Sequence, residues 1–241
     1  MPLDLTNHIA VVTGAGRGIG RSISLMLGNA GAHVVCVART ERQIEKTAQV
    51  IKEADGQANA IRADIAQEPE VRELFATIEQ QHGRLDILVN NAGIGRFGKL
   101  QELASEDFDR VIQVNLRGTF LCCREAMRIM VAGNSGYIIN IASVVGFKGY
   151  PNQGAYTASK HGIMGLTKTL AAEAQEHGIR VSAVLPGGVD TELVREARPD
   201  LAPATLMQPE DVAQAVEFLL SLSPRAAVDE IYIRRRDSQP F

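Results

Sequence analysis

Several things are missing from this chain of 241 residues, and each omission removes a class of answer. No apolar run approaches the roughly 20 residues that a membrane-crossing helix needs. The opening Met1-Pro2-Leu3-Asp4-Leu5-Thr6-Asn7 carries neither the basic nor the apolar segment of a signal peptide. Neither membrane insertion nor secretion is expected. An excess of basic charge is absent too: 25 Lys and Arg stand against 28 Asp and Glu, a net charge of -3. No global positive field exists to hold nucleic acid or an anionic membrane. Cysteine is scarce, with three in all and two of them, Cys122 and Cys123, adjacent. A disulfide framework is therefore not expected, and a cytoplasmic location fits. No His, Cys, Asp or Glu set has metal-ligand spacing, so no metal is expected. No linker and no internal repeat divides the chain, which reads as a single domain over 1–241. What is present is ordinary globular usage, 45% hydrophobic and 22% charged, and a small-molecule partner becomes the leading expectation.

The chain alternates short apolar or β-branched runs with longer amphipathic stretches. Strands are predicted at Ile9 to Thr13, His33 to Ala38, Ala58 to Arg62, Asp86 to Asn90, Tyr137 to Ile141, Arg180 to Leu185 and Glu230 to Arg234. Helices are predicted at Arg21 to Ala30, Glu41 to Ala54, Glu68 to His82, Ser105 to Val131, Ala155 to His177 and Pro209 to Leu222. Strands joined by helices pair in parallel, so the expected fold class is α/β, a doubly wound seven-stranded parallel sheet with helices on both faces. The last strand alternates in polarity and reads as an edge. The run Arg234-Arg235-Arg236 reads as a solvated terminus.

Between the first strand and its helix stands Thr13-Gly14-Ala15-Gly16-Arg17-Gly18-Ile19-Gly20. Glycines let the backbone turn sharply and approach a pyrophosphate, and the helix N-terminus presents unpaired N–H groups to the anion. A dinucleotide is the natural ligand. No Gly-Lys-Ser/Thr ending follows, which disfavours a triphosphate loop. Tyr156 and Lys160 are four residues apart in a helical stretch and share one face. An ammonium about 5 Å from the phenol, at an effective dielectric of ~20, is worth about 3 kcal/mol, and would lower the tyrosine by roughly two pKa units.

The octet Thr13 to Gly20, Asn90-Asn91-Ala92-Gly93, Ser143, Tyr156-Thr157-Ala158-Ser159-Lys160 and Pro186-Gly187-Gly188-Val189-Asp190-Thr191 occur in one order. Together they resemble the short-chain dehydrogenase/reductase family, over roughly Asn7 to Thr191 plus the helix near Pro209. The resemblance implies a Rossmann-type fold and NADP-dependent interconversion of a ketone and a secondary alcohol. Tyr156 would be the general acid and base, Lys160 its partner and a ligand of the nicotinamide ribose, and Ser143 the group that holds the developing alkoxide. Asn115 would position a water that relays protons to Lys160. Cofactor contacts are implied for Gly14, Arg17, Gly18, Ile19 and Gly20, for Asp64 and Ile65, for Asn91, Ala92 and Gly93, and for Pro186, Gly187, Val189 and Thr191. His161, one position past Lys160, points about 100° away and has no implied role.

After the second strand comes Val37-Ala38-Arg39-Thr40, with no acid to accept the ribose hydroxyls of NAD. Arg39, Thr40 and Arg17 instead suit a 2′-phosphate, which predicts NADP(H). The other reading of Arg39 is a solvated charge or an adenine stack. Ile94, Val145, Phe147 and Tyr150 are expected to line the substrate pocket, and 192–208 to form its lid. Arg96, Arg195 and Arg198 are either substrate grips or surface charges. The terminus lacks the Gly-Gly ending of many 3-oxoacyl-carrier-protein reductases, which leaves that activity as an alternative beside a non-catalytic NADP-binding protein. A sugar-nucleotide epimerase or dehydratase would need a larger C-terminal region. Cys122, Cys123 and Met127 read as packing residues. Phe120-Leu121-Cys122-Cys123 exceeds one apolar stripe and predicts a homo-oligomer, a tetramer or dimer.

Overall fold

Successive residues of β1 (Ile9–Thr13) belong to opposite faces: Ala10 and Val12 pack into one apolar cluster, Ile9 and Val11 into another. The same division holds in β2 (His33–Ala38), with Val34 and Cys36 on one side and Val35 and Val37 on the other. Strands apolar on both faces need helices on both faces. The structure, a computed structural model, describes residues 3–197, 200 and 202–239. It supplies those helices on a seven-stranded sheet of order β3-β2-β1-β4-β5-β6-β7, every pair parallel.

The remaining strands are β3 (Gln57–Arg62), β4 (Ile87–Asn90), β5 (Gly136–Ile141), β6 (Ile179–Pro186) and β7 (Glu230–Ile233). One face is covered by α1 (Gly18–Asn29), α2 (Glu41–Glu53) and α8 (Pro209–Ser221), through Ile23, Leu27, Ile44, Ile51, Val212 and Val216. The other is covered by α3 (Glu68–His82), α5 (Gly118–Gly133) and α6 (Gly154–Gln175), through Leu74, Ile78, Leu121, Ala126 and Leu170. A fully buried aliphatic side chain contributes about 1.5–3 kcal/mol, so these two layers dominate the folding energy. Cys122 and Cys123 lie in the second layer and Met127 packs against it; burial raises both thiols, Cys123 to about 12. Thiols so placed act as packing groups.

β1, β2 and α3 have the boundaries predicted, and most others shift by one to three residues. α1 begins at Gly18 and not Arg21, with the Arg21 N–H already bonded to the Arg17 carbonyl at 3.3 Å. The predicted single helix from Ser105 is interrupted: α4 (Ser105–Val111) passes through a π turn at Ile112–Arg117 before α5. Within 192–208 lie α7 (Glu192–Ala197) and a 3₁₀ turn at Pro203–Thr205. No described helix is long and apolar enough to cross a membrane.

The chain leaves β1 toward β2 on one side and later returns to place β4 on the other. This reversal opens a crevice at the carboxyl ends of the strands, where open α/β sheets bind ligands.

Candidate active site

A cleft of about 940 Å³ runs along that crevice. At one end, Gly14 adopts φ +68, and a Cβ there would stand 2.8 Å from Asn91 Nδ2. A Cβ on Gly20 would collide with the Gly14 carbonyl. Gly20 accordingly lies under the loop and does not line the cleft, so its place is in packing the loop onto α1. Asn91 donates from Nδ2 to the carbonyls of Thr13 at 3.0 Å and Gly14 at 3.3 Å. The Thr13 hydroxyl accepts from the backbone N–H of Asn91 and of Ala92. The loops after β1 and β4 are thereby laced together.

The predicted cofactor contacts Gly14, Arg17, Gly18, Ile19, Arg39, Thr40, Asp64, Ile65, Asn91, Ala92, Gly93, Pro186, Gly187, Val189 and Thr191 all line the cleft. The Arg17 side chain closes on Glu192 at the start of α7. Arg39 is exposed at the rim, and among the described residues no carboxylate pairs with it. Asp64 accepts from the Ala66 N–H at 3.0 Å and pairs with Arg110 at 3.3 Å. The bare backbone of the glycine turn, the start of α1 and the unpaired Arg39 fit a dinucleotide with a phosphate at its adenosine end.

At the other end stand Ser143, Tyr156 and Lys160. Ser143 follows β5 and its Oγ accepts from Val145 N–H at 3.3 Å. Lys160 is almost wholly buried and donates to the carbonyl of Ile141 at 2.8 Å, which aims the rest of its ammonium at the cleft. The Lys160 Nζ lies 5.6 Å from the centroid of the Tyr156 ring. Phe97 packs on that ring edge-on at 6.1 Å.

Electrostatics here run against the expectation from spacing. Burial pushes the Tyr156 hydroxyl up to about 12, and hydrogen bonding with Ser143 only partly offsets this. Burial also draws Lys160 down to about 8. An ammonium beside a solvated phenol would lower it, but both groups are desolvated in this site and each resists ionisation. The chain by itself therefore keeps the phenol protonated, the form a proton donor needs.

Asn115 does not line the cleft. Its amide is fully engaged: Oδ1 accepts from Ile94 N–H at 2.8 Å, while Nδ2 donates to the Ile94 carbonyl and to Ser159 Oγ, each at 3.0 Å. Ser159 in turn donates to the Tyr156 carbonyl at 2.7 Å. The side chain ties the segment after β4 to the helix that carries Tyr156. The π turn around Asn115 permits this reach, since the added residue turns the amide inward from an otherwise regular helix.

Of the expected substrate residues, Ile94, Val145 and Tyr150 line the cleft. Phe147 and Arg96 do not. Phe147 turns outward, stacked edge-on to Tyr232 at 5.2 Å, and Arg96 turns to Asp107 at 3.1 Å and the Gly95 carbonyl. Arg195 lines the cleft while paired with Asp190 at 2.9 Å; Arg198 lies outside the described residues. His161 faces away with Nδ1 on the Thr157 carbonyl.

Two of the three C-terminal arginines contradict their reading as a solvated end, whereas Arg236 is exposed. Arg234 and Arg235 both line the cleft. Arg234 Nη1 donates to the carbonyls of Arg235, Arg236 and Ser238, and Arg235 is only 16% exposed beside Thr205 and Asp237. A guanidinium can satisfy several carbonyls of one turn, so the tail folds back as a wall. Lys148, Gln153 and Tyr232 also line the cleft and had no sequence signal of their own.

Comparison with known proteins agrees with this geometry. Residues 8–202 match the family model described as short chain dehydrogenase. The chain is 40% identical over 229 residues to a 3-oxoacyl-[acyl-carrier-protein] reductase of Synechocystis sp., covering 92% of each chain. It is 39% identical over 194 residues to a 3beta-hydroxysteroid dehydrogenase of Mediterraneibacter gnavus, covering 80% of this chain and 70% of that one. Among solved structures, a metagenomic short-chain oxidoreductase in complex with NADP superposes with a TM-score of 0.86 at 34% identity, covering 97% of this chain and 99% of the other. Motif order, sheet topology and these likenesses converge, and the chain belongs to the short-chain dehydrogenase family.

Proposed function

We propose that this protein is an NADP(H)-dependent oxidoreductase that interconverts a ketone and a secondary alcohol, with Tyr156 as the proton donor and acceptor. The observation that carries the reading is the meeting, at one end of the cleft, of a protonated, half-buried Tyr156, its partner Ser143 and the buried Lys160. The likeness to the NADP complex supports the cofactor, as does Arg39 without an acid beside it. When bound, NADP(H) supplies or accepts a hydride at the substrate carbon. Glycine-loop backbone and Arg39 hold its phosphates. Ser143 orients the carbonyl oxygen, and Tyr156 Oη delivers a proton to that oxygen as it becomes an alkoxide. Lys160 stabilises the tyrosinate left behind. In the reverse direction the same tyrosinate removes the alcohol proton.

One expensive feature argues against a cofactor-binding protein without turnover. Burying the Lys160 ammonium beside the phenol lowers stability, and a protein that only bound NADP would gain nothing from it. A 3-oxoacyl-carrier-protein reductase is the alternative within this reading, favoured by the Synechocystis relative. NADPH oxidation measured against 3-oxoacyl thioesters, 3-oxo acids, diketones and aromatic ketones decides between substrates. Absence of Tyr156-dependent turnover across all four classes would overturn the assignment.

We also place the protein in the cytoplasm as a homo-oligomer. The support is narrower than the sequence suggested, because Leu121, Cys122 and Cys123 all face the core. Phe108 and Phe120 remain exposed on α4 and α5, Phe120 under the Arg124 guanidinium at 5.6 Å. Light scattering that returned a 26.0 kDa species at micromolar concentration would contradict it.

A further inference from the structure

Charge along the cleft is unevenly matched. Four carboxylates line it, and each is paired: Asp64 with Arg110, Asp190 with Arg195, Glu192 with Arg17 and Asp237 with Arg235. Toward β7 two cations line the same cleft with no carboxylate partner among the described residues, Lys148 and Arg234. Arg234 is engaged by carbonyls of the tail. Lys148 is held differently. Its Nζ lies 5.8 Å from the ring centroids of Phe147 and of Tyr150 and 5.9 Å from that of Tyr232, and it donates to the Tyr232 hydroxyl at 3.4 Å. Rings and hydroxyls position an ammonium without neutralising it. Burial draws this ammonium down, but Tyr232 and Tyr150 outweigh it and keep it above its ordinary range, so it is charged throughout the neutral region.

The segment that carries Lys148 is bounded by reacting groups. Ser143 precedes it by five residues through the 3₁₀ turn at Val144–Gly146, and Tyr156 follows it by eight at the start of α6. Lys148 thus shares one short stretch and one cleft with Ser143 and Tyr156. Resting on the oxidoreductase reading above, we propose that Lys148 determines specificity by pairing with a carboxylate on the substrate, so that the enzyme acts on oxo acids and the corresponding hydroxy acids in preference to neutral ketones.

A charge-assisted hydrogen bond in a partly desolvated site corresponds to roughly ten- to a hundredfold in affinity. The test compares acetoacetate and levulinate, each against its methyl ester, on the wild-type holoenzyme and on Lys148→Met and Lys148→Arg. Wild type should favour at least one acid over its ester. Lys148→Met should lower that acid-to-ester ratio of kcat/KM by ten- to a hundredfold, mainly through KM, and Lys148→Arg should restore most of it. Added salt should raise KM for the acid and leave that for the ester. Calorimetric binding of the same acids to the protein loaded with NADP+ reads the pairing without turnover. Lys148→Met should weaken it tenfold or more. Equal handling of acids and esters by the wild type, no binding of either acid, or parallel loss on both in Lys148→Met overturns the proposal. If carbonyl turnover is found but is indifferent to Tyr156→Phe, the oxidoreductase mechanism fails instead, while the binding experiment still decides Lys148.

Discussion

Replacing Lys160 by Met keeps the aliphatic stem and removes the ammonium, and the depth at which that charge is buried sets the size of the effect on stability. Burial draws Lys160 from an ordinary 10.5 to about 8. Below pH 8 both folded and unfolded chains hold the proton, and the cost of burying the charge is present in full. Between pH 8 and 10.5 the unfolded chain still binds the proton while the folded chain has released it, so stability rises with pH in that window. At about 1.4 kcal/mol per unit the whole interval is worth about 3 kcal/mol. The variant has no such group. Its Ile141 carbonyl loses a donor, but that loss does not vary with pH. Urea unfolding of the cofactor-free proteins at pH 7, 8, 9 and 10 should therefore show wild type gaining about 2–3 kcal/mol on Lys160→Met across the series. Tyr156, raised to about 12, contributes an opposite slope above pH 10 that is common to both chains. Parallel stability curves would refute the claim that Lys160 is a desolvated ammonium held for chemistry at the expense of stability.

Cofactor choice is the next test: Arg39→Ala should lower the preference for NADPH over NADH by roughly ten- to a hundredfold in Kd, read by fluorescence titration, and an unchanged ratio removes Arg39 from the phosphate site. Gly20→Ala should lose measurable dinucleotide affinity and about 1–3 kcal/mol of stability, since the added methyl meets the Gly14 carbonyl; affinity within twofold of wild type would show that the loop accommodates it. Asn115→Ala should lower thermal stability, because the backbone groups of Ile94 lose both partners, and a variant as stable as wild type would deny the tie between β4 and α6.

Much of this was legible in the residues because its physical cause is local. Runs such as Ile9 to Val12 are apolar at every position, the pattern of a strand covered on both faces, so the sheet and its helices could be placed from them. Glycines at 14, 18 and 20 mark the turn: Gly14 combines φ +68 with a Cβ position 2.8 Å from Asn91 Nδ2, and a Cβ on Gly20 would meet the Gly14 carbonyl. What was not legible depends on distant neighbours. The π turn at Ile112–Arg117 leaves the helical pattern almost intact and shows only in where Asn115 points. The inward fold of Arg234 is set by main-chain carbonyls, which carry no side-chain signature. The tyrosine shift went the other way because desolvation, which spacing in a helix does not report, raises the phenol and draws the ammonium down.

The central claim is that Tyr156 moves the proton while the rest of the cleft binds the cofactor, and Tyr156→Phe separates the two. The change removes Oη and keeps the ring that packs on Phe97. NADPH affinity should stay within about twofold of wild type, while kcat on a verified ketone falls by at least about a hundredfold, the lower end of what general acid catalysis contributes. A variant that kept more than about a tenth of wild-type kcat would contradict the account and place the acid elsewhere in the cleft.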